Sequence, residues 1–176
     1  MGLFTGKINP AGGLLSGDLG GIIKCRTVIK TDTFTTTSSS FTPITGLVST
    51  ITPSSSSSQF LIFMSINMTN NSTSQRFAMA CDRYRADVGT TQIGQGAADG
   101  NRTRAIAGGQ DSGGGHCDSL VAMFLDAPAT TTQLEYRATT IAMDGGTNVI
   151  NRTNSDNNNT SYARFASYMI VMEIGG

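Results

Sequence analysis

The stretch from Ala163 to Ile174 reads ARFASYMIVMEI and is followed by Gly175-Gly176. Successive side chains of an extended strand point to opposite faces, and here both faces are largely apolar. One face carries Ala166, Tyr168, Ile170, Met172 and Ile174, and the other carries Phe165, Ser167, Met169, Val171 and Glu173. This pattern is typical of a central strand that is covered on both sides. We therefore predict that this late strand lies in the middle of a sheet and pairs with strands from much earlier in the chain.

The same two-residue alternation recurs in the rest of the chain. The strand that begins at Ile22 is predicted to bury Ile23, Cys25, Thr27 and Ile29, which alternate with Lys24, Arg26, Val28 and Lys30. Other predicted strands are Thr33–Ser40 (an edge or hairpin arm), Phe41–Ile51, Gln59–Asn67, Arg76–Tyr84, Leu120–Leu125, Thr131–Ala142 and Val149-Ile150. The glycine-rich stretch Val88–Gly115 is predicted as long loops around one short strand near Arg102–Ile106. About eight strands with turn signals at this spacing predict an all-β fold, an antiparallel two-sheet jelly roll or sandwich over residues 22–176.

Composition excludes several classes of protein. The 176 residues fit one domain, with 12 basic and 12 acidic residues, no formal net charge and only 14% charged residues. Because a nucleic-acid-binding protein needs a basic patch, we expect no nucleic-acid partner. Low charge at zero net charge disfavours colloidal solubility and favours a protein that lives in an assembly.

The first 21 residues differ in character from the predicted domain. They are rich in glycine, which disfavours a long helix, yet they are too apolar for a solvated tail. Two interpretations remain open for residues 1–21: an arm that docks on a partner, or a strand-like flap on its own domain. The large apolar side chains of this arm are Leu3, Phe4, Ile8, Leu14, Leu15 and Leu19.

The sequence shows no targeting segment. Residues 1–16 lack the charged and apolar regions of a signal peptide, and no stretch reaches the ~20 apolar residues of a membrane span. We therefore predict no membrane span and no secretion. The Asn-X-Ser/Thr sequences would then meet no glycosylation machinery.

Residues able to carry chemistry are few. Cys25, Cys81 and Cys117 form no CxxC pair, so we interpret them as buried small hydrophobic residues rather than disulfides or zinc ligands. His116, the single histidine, is adjacent to Cys117, and adjacent residues of an extended segment point to opposite faces. A calcium site in Asn154–Asn159 is disfavoured because only Asp156 is charged there. We predict no catalytic residue, no cofactor and no metal, and no enzymatic activity.

Three stretches carry a resemblance to a known family. They are GGIIKCRTVIKTDTFTTTSSSFTPITGLVSTITPSSSSSQFLIFMSIN from Gly20, QLEYRATTI from Gln133, and SYMIVMEIGG at the end. The sequence resembles small virion surface proteins of tailed bacteriophages that infect aquatic bacteria, over about Gly20 to Gly176. The resemblance implies a jelly-roll head akin to the tumour-necrosis-factor and complement-head class, which trimerises about a threefold axis and decorates capsids or tips fibres.

From that resemblance we expect a homotrimeric capsid decoration (cement) protein on the particle surface, made in the host cytoplasm. Its partner would be the major capsid protein or a tail or fibre protein, with residues 1–21 as the anchoring arm. Aromatic and Met side chains suit a subunit interface, and Phe165, Tyr168 and Met169 are the candidates. The alternative is a fibre-tip module that binds host surface glycan through exposed loops. The candidate recognition residues are Tyr84, Asp99, Asn101, Asn154 and Asp156.

Overall fold

A computed structural model describes residues 21–113 and 115–175. Within them the chain forms strands joined by turns and loops, and it contains no helix. The strands are β1 (Ile22–Lys30), β2 (Phe34–Thr36), β3 (Thr42–Ile51), β4 (Gln59–Asn70), β5 (Arg76–Arg85), β6 (Gly89–Ile93), β7 (Ala107–Gln110), β8 (Asp118–Asp126), β9 (Leu134–Ala142), β10 (Asn148–Ile150) and β11 (Ser167–Ile174). Along this described part, no helix could cross a membrane. Of the predicted arm, residues 1–21, only Gly21 lies within the described residues.

The strands form two antiparallel sheets. In the first sheet β1 pairs with β11, β11 with β4 and β4 with β8, while β10 continues beside β4 and pairs with β2. In the second sheet β3 pairs with β9 and β9 with β5, and β5 pairs with both β6 and β7. We treat β1/β2, β6/β7 and β10/β11 as three interrupted strands, which gives eight strands in the orders 1-8-3-6 and 2-7-4-5. That is the two-Greek-key order of a jelly roll, which confirms the predicted fold class.

The core lies between the two sheets. Alternate residues of the facing strands are fully buried there, including Phe60, Ile62, Met64 and Ile66 of β4 and Phe77, Met79 and Cys81 of β5. The rings of Phe60 and Tyr136 meet across the sheets with centroids 5.6 Å apart. This alternation follows from the apolar residues of each strand falling on every second position.

The final strand is central, as predicted, because β11 lies between β1 and β4. Its two faces are nevertheless not both covered. Met169 and Val171 are 0% exposed inside the sandwich, whereas Tyr168 on the opposite face is 40% exposed. The expectation of cover on both sides is wrong for the single chain, since a two-layer fold covers only one face of each sheet.

The prediction of loops across Val88–Gly115 also needs correction. Two strands, β6 and β7, pair with β5 there, and residues 102–106 lie outside both. Gly109 shows why the glycine content of this stretch wrongly predicted loops. A Cβ on this residue would lie 2.6 Å from the Asp118 carboxylate and 2.8 Å from the Phe77 ring. Glycine here allows close packing within a strand rather than forming a loop.

The orientation of β1 is the reverse of the prediction. Cys25 is exposed, as are Ile23 and Ile29, while Lys30 is 3% exposed. Lys24 and Lys30, which the pattern placed on the solvent side, each form an ion pair with an acidic side chain. Lys24 Nζ lies 3.2 Å from Glu173, and Lys30 Nζ lies 2.8 Å from Asp32. The long aliphatic part of a lysine side chain can cover apolar surface while its ammonium group reaches a partner. The charged residues of β1 therefore did not identify the face of the strand that is exposed to solvent. The interpretation of Cys25 as buried is wrong, whereas that of Cys81 is confirmed.

Candidate docking face

The outer face of the first sheet is almost entirely apolar. The paired strands place its side chains in three rows that cross β8, β4, β11 and β1. We call this surface the docking face. Its rows are Leu125, Leu61, Met172 and Cys25; Met123, Phe63, Ile170 and Thr27; and Val121, Ser65, Tyr168 and Ile29.

Exposure is greatest along the two outer strands of the docking face. Met123 is 67% exposed and Leu125 59% on β8, and Ile29 is 57% exposed on β1. The members from the two central strands are mostly half-buried by their neighbours. Contiguous apolar surface of this kind is rare on monomeric soluble proteins and marks an interaction site.

No residue of the docking face carries a formal charge at neutral pH. Eight of its twelve members are Leu, Met, Phe, Ile or Val, and the other four are Tyr168, Cys25, Thr27 and Ser65. Charged residues are depleted and aromatic and Met residues enriched at the centres of protein interfaces. The chemistry of the surface therefore suits burial against another apolar surface and offers nothing to a charged ligand.

The three candidate interface residues do not share this face. Tyr168 belongs to it, but Met169 is the next residue of β11 and lies fully buried in the core. Phe165 precedes the strand, is half-buried, and donates its backbone N–H to Asn151 O at 3.0 Å. The expectation that all three form one surface is corrected, because neighbouring strand residues point to opposite sides.

The candidate recognition residues lie on three separate elements. Tyr84 is on β5, where the guanidinium of Arg137 lies 4.1 Å from its ring centroid. Asp99 pairs with Arg102 at 2.7 Å in the loop between β6 and β7, where Asn101 is exposed. The structure therefore does not gather these residues into one site.

Asn154 and Asp156 belong to the loop between β10 and β11. Asn154 Oδ1 accepts the Gly115 N–H at 2.9 Å. The Arg164 hydrogen bond lowers the pKa of Asp156 below its usual value, with Arg152 contributing further. Asp156 also borders an open polar groove, whose other lining residues are Asn157, Asn158, Asn159, Tyr162 and Arg164.

The His116–Cys117–Asp118 segment does not form a nucleophile and base pair. His116 Nε2 lies 3.0 Å from Asp118 Oδ1. Burial, and secondarily the Asp118 charge, raise the pKa of Cys117 to about 12, so its sulfur stays a thiol at neutral pH and is a weak nucleophile. In the described ranges, no three His, Cys, Asp or Glu side chains come together as metal ligands.

The buried side chain of Asn151, which the sequence analysis did not single out, fixes one part of the first sheet. Asn151, at φ 64°, donates to Lys30 O at 2.8 Å and to Asp32 O at 3.0 Å. Its Oδ1 accepts the Ser167 hydroxyl at 2.6 Å. These bonds join the bend between β1 and β2 to the start of β11. The sequence signal that could have identified it is an asparagine directly after a buried strand, because Asn tolerates the left-handed backbone conformation found there.

Glu173 is a second missed residue. It is fully buried at the end of β11, where it accepts the Ser58 hydroxyl at 2.7 Å and the Ser54 backbone N–H. Burial raises the pKa of Glu173, but the hydrogen bonds from Ser54, Ser58 and Lys24 outweigh burial, so the pKa lies below its usual value. The ionised carboxylate thus ties the loop before β4 to the sheet that carries the docking face.

Comparison with known proteins gives no family for the chain. No family model matches the sequence, and no curated protein matches it. Among solved structures, the chain is similar to one titled as infectious bursal disease virus Gt strain, at 13% identity and TM-score 0.42, covering 97% of this chain and 44% of that one. It is also similar to the infectious bursal disease virus VP2 subviral particle, at 14% identity and TM-score 0.40, covering 97% and 47%. This chain spans less than half the length of those chains, and its jelly-roll fold is established by its own strand order.

Proposed function

We propose that the protein is a structural component of a virion, a homotrimeric capsid decoration (cement) protein displayed on the particle surface and held by its N-terminal arm. The observation that carries the proposal is the docking face. Among the described residues, the three largely apolar rows of this face have no cover. Contiguous exposed apolar surface marks an interaction site, as expected for a subunit that works in an assembly.

The rest of the chain fits a structural role. The strand order is a jelly roll, an architecture used by many capsid proteins. The half-buried Cys117 thiol has a raised pKa and contacts the backbone carbonyl of Asp118 at 3.9 Å, which disfavours nucleophilic chemistry. Zero net charge disfavours nucleic-acid binding. Because the docking face is apolar and uncharged, the partner we propose is a protein, the major capsid protein.

The first test is the location of the protein and its oligomeric state. Cryo-electron microscopy of the virion should show this fold on the capsid surface in groups of three. Sedimentation of the purified chain should give a trimer at micromolar concentration. A purely monomeric species that is also absent from particles would contradict the proposal.

A pair of matched variants tests whether the docking face holds the subunit in place. Met123→Lys adds a charge to the face at a position that is 67% exposed, and Thr50→Lys adds the same charge at an exposed position on the outer face of the other sheet. We expect Met123→Lys to reduce incorporation into particles by at least about tenfold, since a desolvated lone charge costs several kcal/mol. Thr50→Lys should assemble normally. Equal behaviour of the two variants would show that the face is not used.

The second candidate is a tail-fibre or head-fibre tip that binds host surface glycan. The open groove beside Asp156 favours it, because Tyr162, three asparagines and Arg164 combine an aromatic side chain with hydrogen-bonding groups. A glycan array would show binding by the unmodified protein and its loss in Tyr162→Ala. Absence of binding would leave the decoration role as the better explanation of the docking face.

A further inference from the structure

We propose that in the unassembled protein the first 20 residues of the chain cover the docking face of their own subunit. The inference concerns the free subunit and is tested separately from the virion role; only the preference for the arm over a second copy rests in part on the proposed trimer. If both hold, the arm leaves this face when the subunit joins its partner, and one apolar contact replaces another.

The point where the described chain begins supports this occupant. Gly21 directly precedes β1, which forms one border of the docking face, and it is fixed by the hydrogen bond from Gly175 N–H to its carbonyl at 3.3 Å. The first residues of β1, Ile22 and Ile23, are 65% and 48% exposed. The preceding segment therefore reaches the sheet at the rim of the face, next to the row that contains Cys25 and Met172.

The segment is long enough. Adjacent strands lie about 4.8 Å apart, so the four strands of the face span roughly 15 Å between the outer strand axes. An extended chain advances about 3.3 Å per residue, so about five residues cross the face. The 20 residues before Gly21 can cross it and return.

The chemistry of the segment matches the face. Besides Met1, it contains six large apolar side chains, and only two of its side chains are charged, Lys7 and Asp18. The docking face has no charged member to pair with them. A short tether also gives the segment an effective concentration in about the millimolar range, so it competes with any free partner.

A second copy of the chain is the weaker occupant. Two copies that bury the same face against each other form a twofold dimer, whereas the role proposed above calls for a trimer. Association of two chains also loses rotational and translational freedom that a tethered segment has already lost. We therefore treat a second copy as an outcome of the test.

Cys25 provides a natural probe of this cover. It lies exposed on the docking face of the described structure, while Cys81 is fully buried and Cys117 is half-buried with a raised pKa. A thiol reagent such as dithionitrobenzoate should therefore report mainly on Cys25. The Cys25→Ser variant assigns its signal.

The experiment compares the labelling rate of Cys25 in full-length chains. The unmodified protein should label slowly, and the double variant Leu14→Asp with Leu15→Asp should label at least about tenfold faster, since local cover sets the accessibility of a group. The control Thr5→Asp with Ser16→Asp adds the same charge at polar positions and should stay slow. A second pair, Leu3→Asp with Phe4→Asp, repeats the test, and circular dichroism checks that each variant retains its β structure.

Three results would overturn the inference. Rapid labelling of Cys25 in the unmodified chain would show that the face is bare. Slow labelling that survives both arm variants but accelerates on dilution would assign the cover to a second copy. Slow labelling that survives both arm variants at every concentration would show that Cys25 is shielded without the arm.

Discussion

The outer faces of the two sheets differ in whether they carry charged side chains, although their inner faces share one core. The first sheet presents the uncharged docking face. The second sheet presents Arg137 and Glu135 on β9, with Arg137 bonded to Glu135 at 2.6 Å and stacked on Tyr84 of β5. The inner faces of both sheets alternate in the same way, so core formation does not account for the difference.

The contrast shows which surface is adapted to water. Arg137 forms an ion pair with Glu135 and stacks on the ring of Tyr84, so the second sheet carries charged groups on its outer surface with little loss of stability. The first sheet has no such group across its three rows. The second sheet therefore carries charged side chains on its outer face, whereas the docking face carries none, as expected if the proposed partner or the arm covers it.

The largest expected effect is a difference in the free energy of unfolding between substitutions on the two faces of β11. Val171→Asp would place a carboxylate in the core, where Val171 is 0% exposed. We expect a loss of at least about 4 kcal/mol in the free energy of unfolding. Ile170→Asp, one residue away on the docking face, should cost only about 1 kcal/mol and should impair docking instead. Urea denaturation of both variants checks this, and equal losses would contradict the two-sided description of the strand.

The next effect concerns the link between the sheets. Asp126 on β8 accepts Arg83 Nη1 at 2.7 Å and the Tyr136 hydroxyl at 2.8 Å, both from the second sheet. Asp126→Asn should lower the free energy of unfolding by about 3 kcal/mol, because it leaves a partly buried guanidinium without its counter-charge. Asp87→Asn, which removes an exposed pair with Arg85, is the matched control and should change it little. If the two variants lost the same amount in thermal unfolding, Asp126 would not join the sheets.

Glu173 predicts a pH dependence. Because its pKa is lowered in the folded protein, the stabilisation is present above the ordinary value of 4.5 and is lost as pH falls through the folded pKa. Glu173→Gln should flatten the acid limb of the stability curve and cost about 1–3 kcal/mol at neutral pH. Denaturant midpoints measured across this range, with Glu135→Gln as control, check the assignment. An unchanged acid limb in Glu173→Gln would contradict it.

The smallest effect is expected on the solvated face. Arg137→Ala removes an ion pair and a ring contact whose partners are partly exposed. We expect about 1 kcal/mol or less in the free energy of unfolding and no change in incorporation into particles. A large assembly defect in this variant would mean that the second sheet also faces a partner.

The period-two pattern was enough to predict the fold. The runs at Gln59–Asn67 and Thr131–Ala142 became β4 and β9, with Leu134, Tyr136 and Ala138 facing inward as expected. Apolar alternation identifies strands well because burial acts on every second residue. It does not reveal which apolar face meets the core, and that is why β11 was predicted to be covered on both sides.

The docking face could not be read from single strands. Its rows exist only because the register places Met123 beside Phe63 and Phe63 beside Ile170, and these residues are far apart in sequence. The reversal of β1 has a similar cause, since Glu173 supplies the carboxylate that draws Lys24 inward. Long-range pairing, rather than local pattern, decides both.

The position of β11 between β1 and β4 has a consequence for synthesis of the chain. These two strands are made early, but each is hydrogen-bonded to β11 and not to the other. The ribosome must therefore release residues 167–174 before the first sheet can close, and until then β1 and β4 keep unsatisfied backbone groups. A chain whose synthesis stopped before Ser167 would lack the middle of this sheet, and with it Tyr168, Ile170 and Met172 of the docking face.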